Sequence, residues 1–252
     1  MKSYFVSLLA LVLLAGCSKQ QDDDYANNPD VPAQLHNRPV GASASELLAA
    51  AKYTSLTIEV QYMTGYAPDA AALSYLQSML GGLVNKPAGI SIVTKEIAGA
   101  ASQTLSANDI AGIEQANRTV FTSGSRLGVY VLYTNGSYTS GSTLGIAYRN
   151  TSIALFGKKI HDNSGGIGQT SRTKLEATVL GHELGHLLGL VDLGSPMQAN
   201  HKDSDHGNHC SNSNCLMYYA SETTDVLGFL LTGNVPPLDA GCRADLHANG
   251  GQ

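Results

Sequence analysis

Charged residues make up only 14% of the 252-residue chain, well below the ~25% of an ordinary soluble domain. Those present leave a formal net charge of −5 and a pI near 5.8. There is thus no basic field to hold a nucleic acid, and nucleic acid is not an expected partner. Long apolar runs are missing too. Beyond the first fourteen residues no stretch is long and apolar enough to cross a membrane. Cysteine is scarce, with four residues at Cys17, Cys210, Cys215 and Cys242. Gly, Ser, Thr and Tyr fill much of the remainder, a balance common among exported proteins.

The N-terminus agrees with export. Lys2 precedes an apolar run from Tyr4 to Leu14, too short for a lasting span and of the length of a signal peptide. The run ends in Leu14-Ala15-Gly16-Cys17, which resembles the lipobox of bacterial lipoproteins, in which the cysteine is lipidated and becomes the new N-terminus. Residues 1–16 are therefore expected to be a lipoprotein signal peptide, and Cys17 a lipidation site holding a soluble domain to a membrane. Residues 17–44 are polar, carry Asp22-Asp23-Asp24 and three prolines, and read as a tether. The acidic run behind Cys17 resembles the surface-export signal of Bacteroidetes lipoproteins; a solvated linker explains it equally well. The expected location is the outer membrane, on its periplasmic or cell-surface side. Ser18–Ala44 has no cysteine to block a metal, so latency by that route is not expected.

The remaining ~200 residues suit one domain, 45–252. Helical signals run from Ser45 to Lys52, and Leu56–Met63 alternates like a strand. A helix is expected from Pro68-Asp69 to Gly81-Gly82, a strand over Ile90–Ile97, and a helix capped by Ser106 to about Val120. Leu127–Tyr133, Gly145–Tyr148 and Ser152–Phe156 are β-like, with turns at Asn135-Gly136 and Arg149-Asn150. His161, Asp162 and Gly165-Gly166 read as a surface loop, and Leu227–Leu231 as a short final helix. The order predicts an α/β (α+β) fold with a mixed sheet.

The chemistry is concentrated in His182-Glu183-Leu184-Gly185-His186. Residues four apart share one helix face, so two imidazoles can grip one metal ion with Glu183 beside it. Zinc accepts nitrogen ligands, and a neighbouring carboxylate can take a proton from water, the logic of HExxH metalloproteases. Leu175, Val179, Leu180, Leu184, Leu187 and Leu188 keep helical spacing around the motif, and Gly189 lets the chain leave the helix sharply.

His209 is followed eight residues later by Met217, in His209-Cys210-Ser211-Asn212-Ser213-Asn214-Cys215-Leu216-Met217. From Thr178 to Tyr219 the chain resembles the metzincin zinc metalloproteases, and from His209 to Met217 most of all their archaemetzincin branch. The resemblance implies a metzincin-like zincin with a mixed twisted sheet and an active-site helix. It also implies a substrate bound as an added strand along a sheet edge, for which Leu144–Tyr148 is the candidate. Met217 would be the Met-turn under the zinc, and Tyr219, two residues on, a catalytic tyrosine reaching the metal or the oxyanion. The third ligand stays open. Asp192 lies three residues after Gly189, where the usual motif has it; His209 lies seventeen further on, in register with Met217, and is preferred. In that case Asp192–Asn208 is an insertion, and its His201, Asp203, Asp205 and His206 read as a hydrated loop rather than a site.

With Cys17 lipidated, three cysteines remain, an odd number for an exported protein. Cys210 and Cys215 can close a disulfide, or all three thiols can join a structural zinc of the kind archaemetzincins hold with two cysteine pairs. Asp245 stands where the fourth cysteine would fall. The expected protein is a monomeric zinc-dependent endopeptidase acting on a protein or peptide, with His182, His186 and His209 as ligands, Glu183 as general base and Zn2+ as cofactor. The competing reading is an exported zinc-binding or adhesion module without turnover, against which an intact Glu183 argues.

Overall fold

A computed structural model of the chain describes residues 35–231 and 233–252. The expected signal peptide, Cys17 and most of the tether lie outside the described residues. In chain order the elements are α1 (Ala44–Leu48), β1 (Ser55–Met63), α2 (Ala70–Gly81), β2 (Ile90–Ile97), β3 (Thr104–Leu105), α3 (Ala107–Asn117) and β4 (Arg126–Tyr133). β5 (Ser137–Tyr138), β6 (Gly145–Arg149), β7 (Ser152–Leu155), α4 (Gly157–Asp162), α5 (Arg172–Leu187), α6 (Leu227–Leu230) and α7 (Ala240–Ala248) follow.

Five strands form a sheet in the order β2-β1-β4-β7-β6, while β3 and β5 pair separately. β2, β1, β4 and β7 run parallel; β6 turns back antiparallel to β7 and is an edge. The alternation of β4 explains its place at the centre. Val129, Val131 and Tyr133 enter the main core with α2 and α5, while Tyr130 and Leu132 enter a smaller one with Ile110 of α3. Side-chain caps set the helix starts: Asp69 accepts from the amides of Ala71 and Ala72, and Ser106 and Asp109 form a capping box.

Two boundaries differ from the sequence expectation. Residues 35–44 are not tether. His36 is fully buried, its Nδ1 3.0 Å from Thr151 Oγ1, and the Arg38 amide donates to Asn150 Oδ1 at 3.0 Å. The segment thus packs on the turn joining β6 to β7. His161 and Asp162 belong to α4 rather than to a loop, because Ile160 is buried and anchors that turn of helix to the core.

Candidate metal centre

Ser171 caps α5, accepting from the Lys174 amide, and every residue from Leu175 to Leu187 is buried. The helix is therefore held on all sides, which fixes the directions of His182 and His186. Their Nε2 atoms lie 3.1 Å apart. His209 completes the cluster, its ring 5.2 Å from each of the other two. Asp192 is elsewhere: it sits at φ +70° and its exposed carboxylate pairs with Lys202 at 2.9 Å.

The tautomers follow from the partners. His182 Nδ1–H donates to the Leu216 carbonyl at 2.8 Å, and His209 Nδ1–H to the His206 carbonyl at 2.6 Å. Both turn Nε2 toward the cluster, where that of His209 is buried without a hydrogen-bond partner. Burial, then the nearby His182, holds His186 well below the usual imidazole range; at His209 burial is outweighed by the Glu222 carboxylate, which raises it. One donor atom from each histidine and one from Glu222 lie within 4.8 Å of one another. This donor set fits a zinc ion.

Glu183 adds a second orphan. Both its oxygens are buried without a hydrogen-bond partner. Burial, then the like charge of Glu222, pushes its pKa well above the usual carboxylate value, opposed by the Ala147 amide of β6. The edge strand approaches closely because residue 145 is glycine: a Cβ there would stand 2.9 Å from Glu183 Oε1 and 2.6 Å from Val179 Cγ1. Glu183, His186 and His209 line a cleft of about 280 Å³ whose walls include Val40, Ile146 and Leu193. Met217 is fully buried against α5, and a Cβ at Gly185 would fall 2.3 Å from its sulfur. Its carbonyl accepts from the Cys210 amide at 2.8 Å, which ties the methionine turn to the His209 segment.

Tyr219 packs between two other rings. Its ring stacks on His206 at 3.7 Å, nearly parallel, and leans on Tyr218. A group that faces the clustered imidazoles is Glu222, whose carboxylate lies 3.6 Å from His182, 3.6 Å from His209 and 3.9 Å from His186. No motif marks it; only its position five residues past Met217 connects it to the site.

A second cluster lies behind the His209 strand. Cys210, Cys215 and Cys242 are all buried, and the structure shows them as free thiols. Cys215 and Cys242 meet with sulfurs 3.6 Å apart, and His201 Nδ1 lies 3.9 Å from Cys242 Sγ. The S–H of Cys242 points at Cys215 and lowers that thiol to about 7, while burial pushes Cys210 up to about 12. Asp245 is not the fourth donor. Its Oδ2 accepts from His201 Nε2 at 2.7 Å and its Oδ1 from the Gln198 amide at 2.7 Å. It thereby turns the other imidazole nitrogen toward the sulfurs. Asp239 caps α7 through Cys242 N and lies 3.3 Å from Cys210 Sγ. His201 comes from the expected insertion, which is a hairpin: Ser211 N donates to His201 O, and Asp203 N to His209 O. The leftover odd thiol count was the one sequence signal for a non-cysteine partner.

Among solved structures, archaemetzincin from Methanopyrus kandleri matches with a TM-score of 0.51 and 15% identity, over 78% of this chain and 96% of that one. Metalloproteinase-II from Bacteroides fragilis matches at 0.48 and 16%, over 89% of this chain and 59% of that longer one. No protein-family model and no curated protein matches. The chain has an archaemetzincin-like zincin fold: a mostly parallel sheet backed by helices, of which α5 carries the histidines.

Proposed function

We propose that the chain is a zinc-dependent endopeptidase. One observation carries the reading: three imidazole nitrogens and an unpartnered buried carboxylate converge on the floor of a cleft beside an edge strand. When bound by His182, His186 and His209, zinc supplies Lewis acidity, polarising a carbonyl and making water acidic enough to lose a proton near neutral pH. Glu183 takes that proton on its carboxylate and hands it to the amine nitrogen as the C–N bond breaks, so water is the sole co-reactant. Its burial keeps it basic enough for both transfers. The peptide lies extended along β6, pairing with the free side of that strand. Hydrolysis of a non-peptide amide would use the same groups.

A second, structural zinc is held by His201, Cys210, Asp239 and Cys242, whose donor atoms lie within 4.8 Å of one another, with Asp245 orienting the histidine. Thiolates, an imidazole and a carboxylate are all donors that zinc accepts. The protein works as a monomer, exported and held to a membrane by acyl chains on Cys17.

Zinc content and turnover of a broad peptide library test the reading on wild type, Glu183→Ala and His209→Ala. Glu183→Ala should keep its zinc and lose turnover, and His209→Ala should lose one zinc. A wild type that holds zinc in the cleft yet cleaves nothing would instead favour the binding module. Labelling with a fatty acid should be abolished by Cys17→Ser.

A further inference from the structure

Glu222 is the acidic group that sequence reasoning missed, and its surroundings are unusual. Among the described residues, the ion-pairing partners of its carboxylate are His182, His186 and His209, with no lysine or arginine. Its two oxygens divide between them: Oε2 faces His182 and His186, and Oε1 faces His209. One ring nitrogen from each histidine and one Glu222 oxygen all lie within 4.8 Å of one another. A tetrahedral shell with bonds of about 2.1 Å spaces its donors about 3.4 Å apart. The separations of 3.1 Å between the Nε2 atoms of His182 and His186, and of 3.6 and 3.9 Å from Glu222 Oε2 to each of them, bracket that spacing.

The carboxylate is also delivered by a fixed piece of backbone. The Leu144 amide donates to Glu222 O at 2.8 Å, Thr224 N to Ser142 O at 3.0 Å, and Thr143 bridges Thr223. The segment is thus fastened to the chain just before the edge strand β6, and its side chain has only a few bonds with which to move. At 28% exposure that side chain is still reachable from the cleft. A cage of three histidines and one glutamate would be a closed, all-protein shell, whereas a catalytic shell keeps one position open.

We propose that Glu222 is the fourth protein ligand of the resting cleft ion, and that substrate or any other entering ligand must displace it. The proposal rests on the reading that the cleft holds an ion. It makes the resting enzyme self-capped, with the cap fastened to the chain that leads into the strand along which a peptide would bind.

Cobalt(II) in the full chain gives a readout independent of turnover. The difference in visible absorption between wild type and His209→Ala isolates the cleft ion from cobalt at the thiol cluster. Azide, a small anionic ligand, is then titrated against wild type, Glu222→Gln and Glu222→Ala, and zinc affinity is measured by chelator competition. The expected result is azide binding at least tenfold tighter in Glu222→Ala than in wild type, with zinc affinity at least tenfold weaker and Glu222→Gln in between. Equal azide and zinc affinities in all three chains would overturn the proposal and leave Glu222 a mere neighbour of the histidines. If wild type and His209→Ala carry the same cobalt spectrum, the cleft ion itself is wrong, and both readings fall together. Glu222→Gln keeps the size and the backbone contact to Leu144, so it reports even if the alanine variant misfolds.

Discussion

The two clusters back onto each other yet differ in kind. The cleft cluster is built of imidazoles and carboxylates, opens on one side, and leaves Glu183 buried without a partner. The thiol cluster is enclosed, and its histidine is held from behind by Asp245. An orphaned buried carboxylate is costly to keep, and a protein retains one where it does chemistry; a fully partnered pocket serves to hold segments together. Under the proposed function, the first cluster does the chemistry and the second holds segments together.

The contrast would be broken most severely by Glu183→Gln. Turnover should fall by about 10²- to 10⁴-fold with both ions retained, as measured by peptide cleavage and metal analysis; a comparable loss of metal would mean that Glu183 is structural. His201→Ala should do the reverse, removing one ion and about 4 kcal/mol or more of stability while the cleft ion stays. Chemical denaturation beside zinc counting checks this, and an unchanged count would remove His201 from the ligand set. Gly185→Ala sharpens the comparison from below, since its Cβ would meet the Met217 sulfur at 2.3 Å. Overpacking should cost about 1–3 kcal/mol, read as a lower melting temperature, with the thiol ion unaffected. The smallest effect belongs to Asp192→Asn, which removes the charge of an exposed pair with Lys202 and keeps a residue that tolerates φ of +70°. Stability should change by under about 1 kcal/mol and zinc content not at all; loss of an ion would restore Asp192 as a ligand.

Much of this was legible in the chain because it is local. β1, β2 and β4 follow from alternation, α2 and α3 from their caps, and the His182–His186 pair from the helical repeat. What was hidden depends on contacts across the fold. His201 meets Cys242 from 41 residues away, through a hairpin whose pairing no periodicity announces. Glu222 faces the histidines only because its backbone is fastened beside β6. Asp192 occupied the right place in the motif, but the chain turns at Val191 and Asp192 with φ of +52° and +70°. The tether ran too far in the sequence reading because polar residues 35–44 satisfy their hydrogen bonds on the folded domain rather than in water.

His209 and Cys210 are neighbours on one strand of the hairpin, and neighbours on an extended strand point to opposite faces. One faces the cleft and the other the thiols, so this strand is a wall shared by two rooms. A slip of one residue in its pairing with His201–Asp203 would send the imidazole among the sulfurs and the thiol among the imidazoles. Under the proposed function, with an ion in each room, each would proofread the register that the other requires, and a misaligned hairpin would be rejected twice.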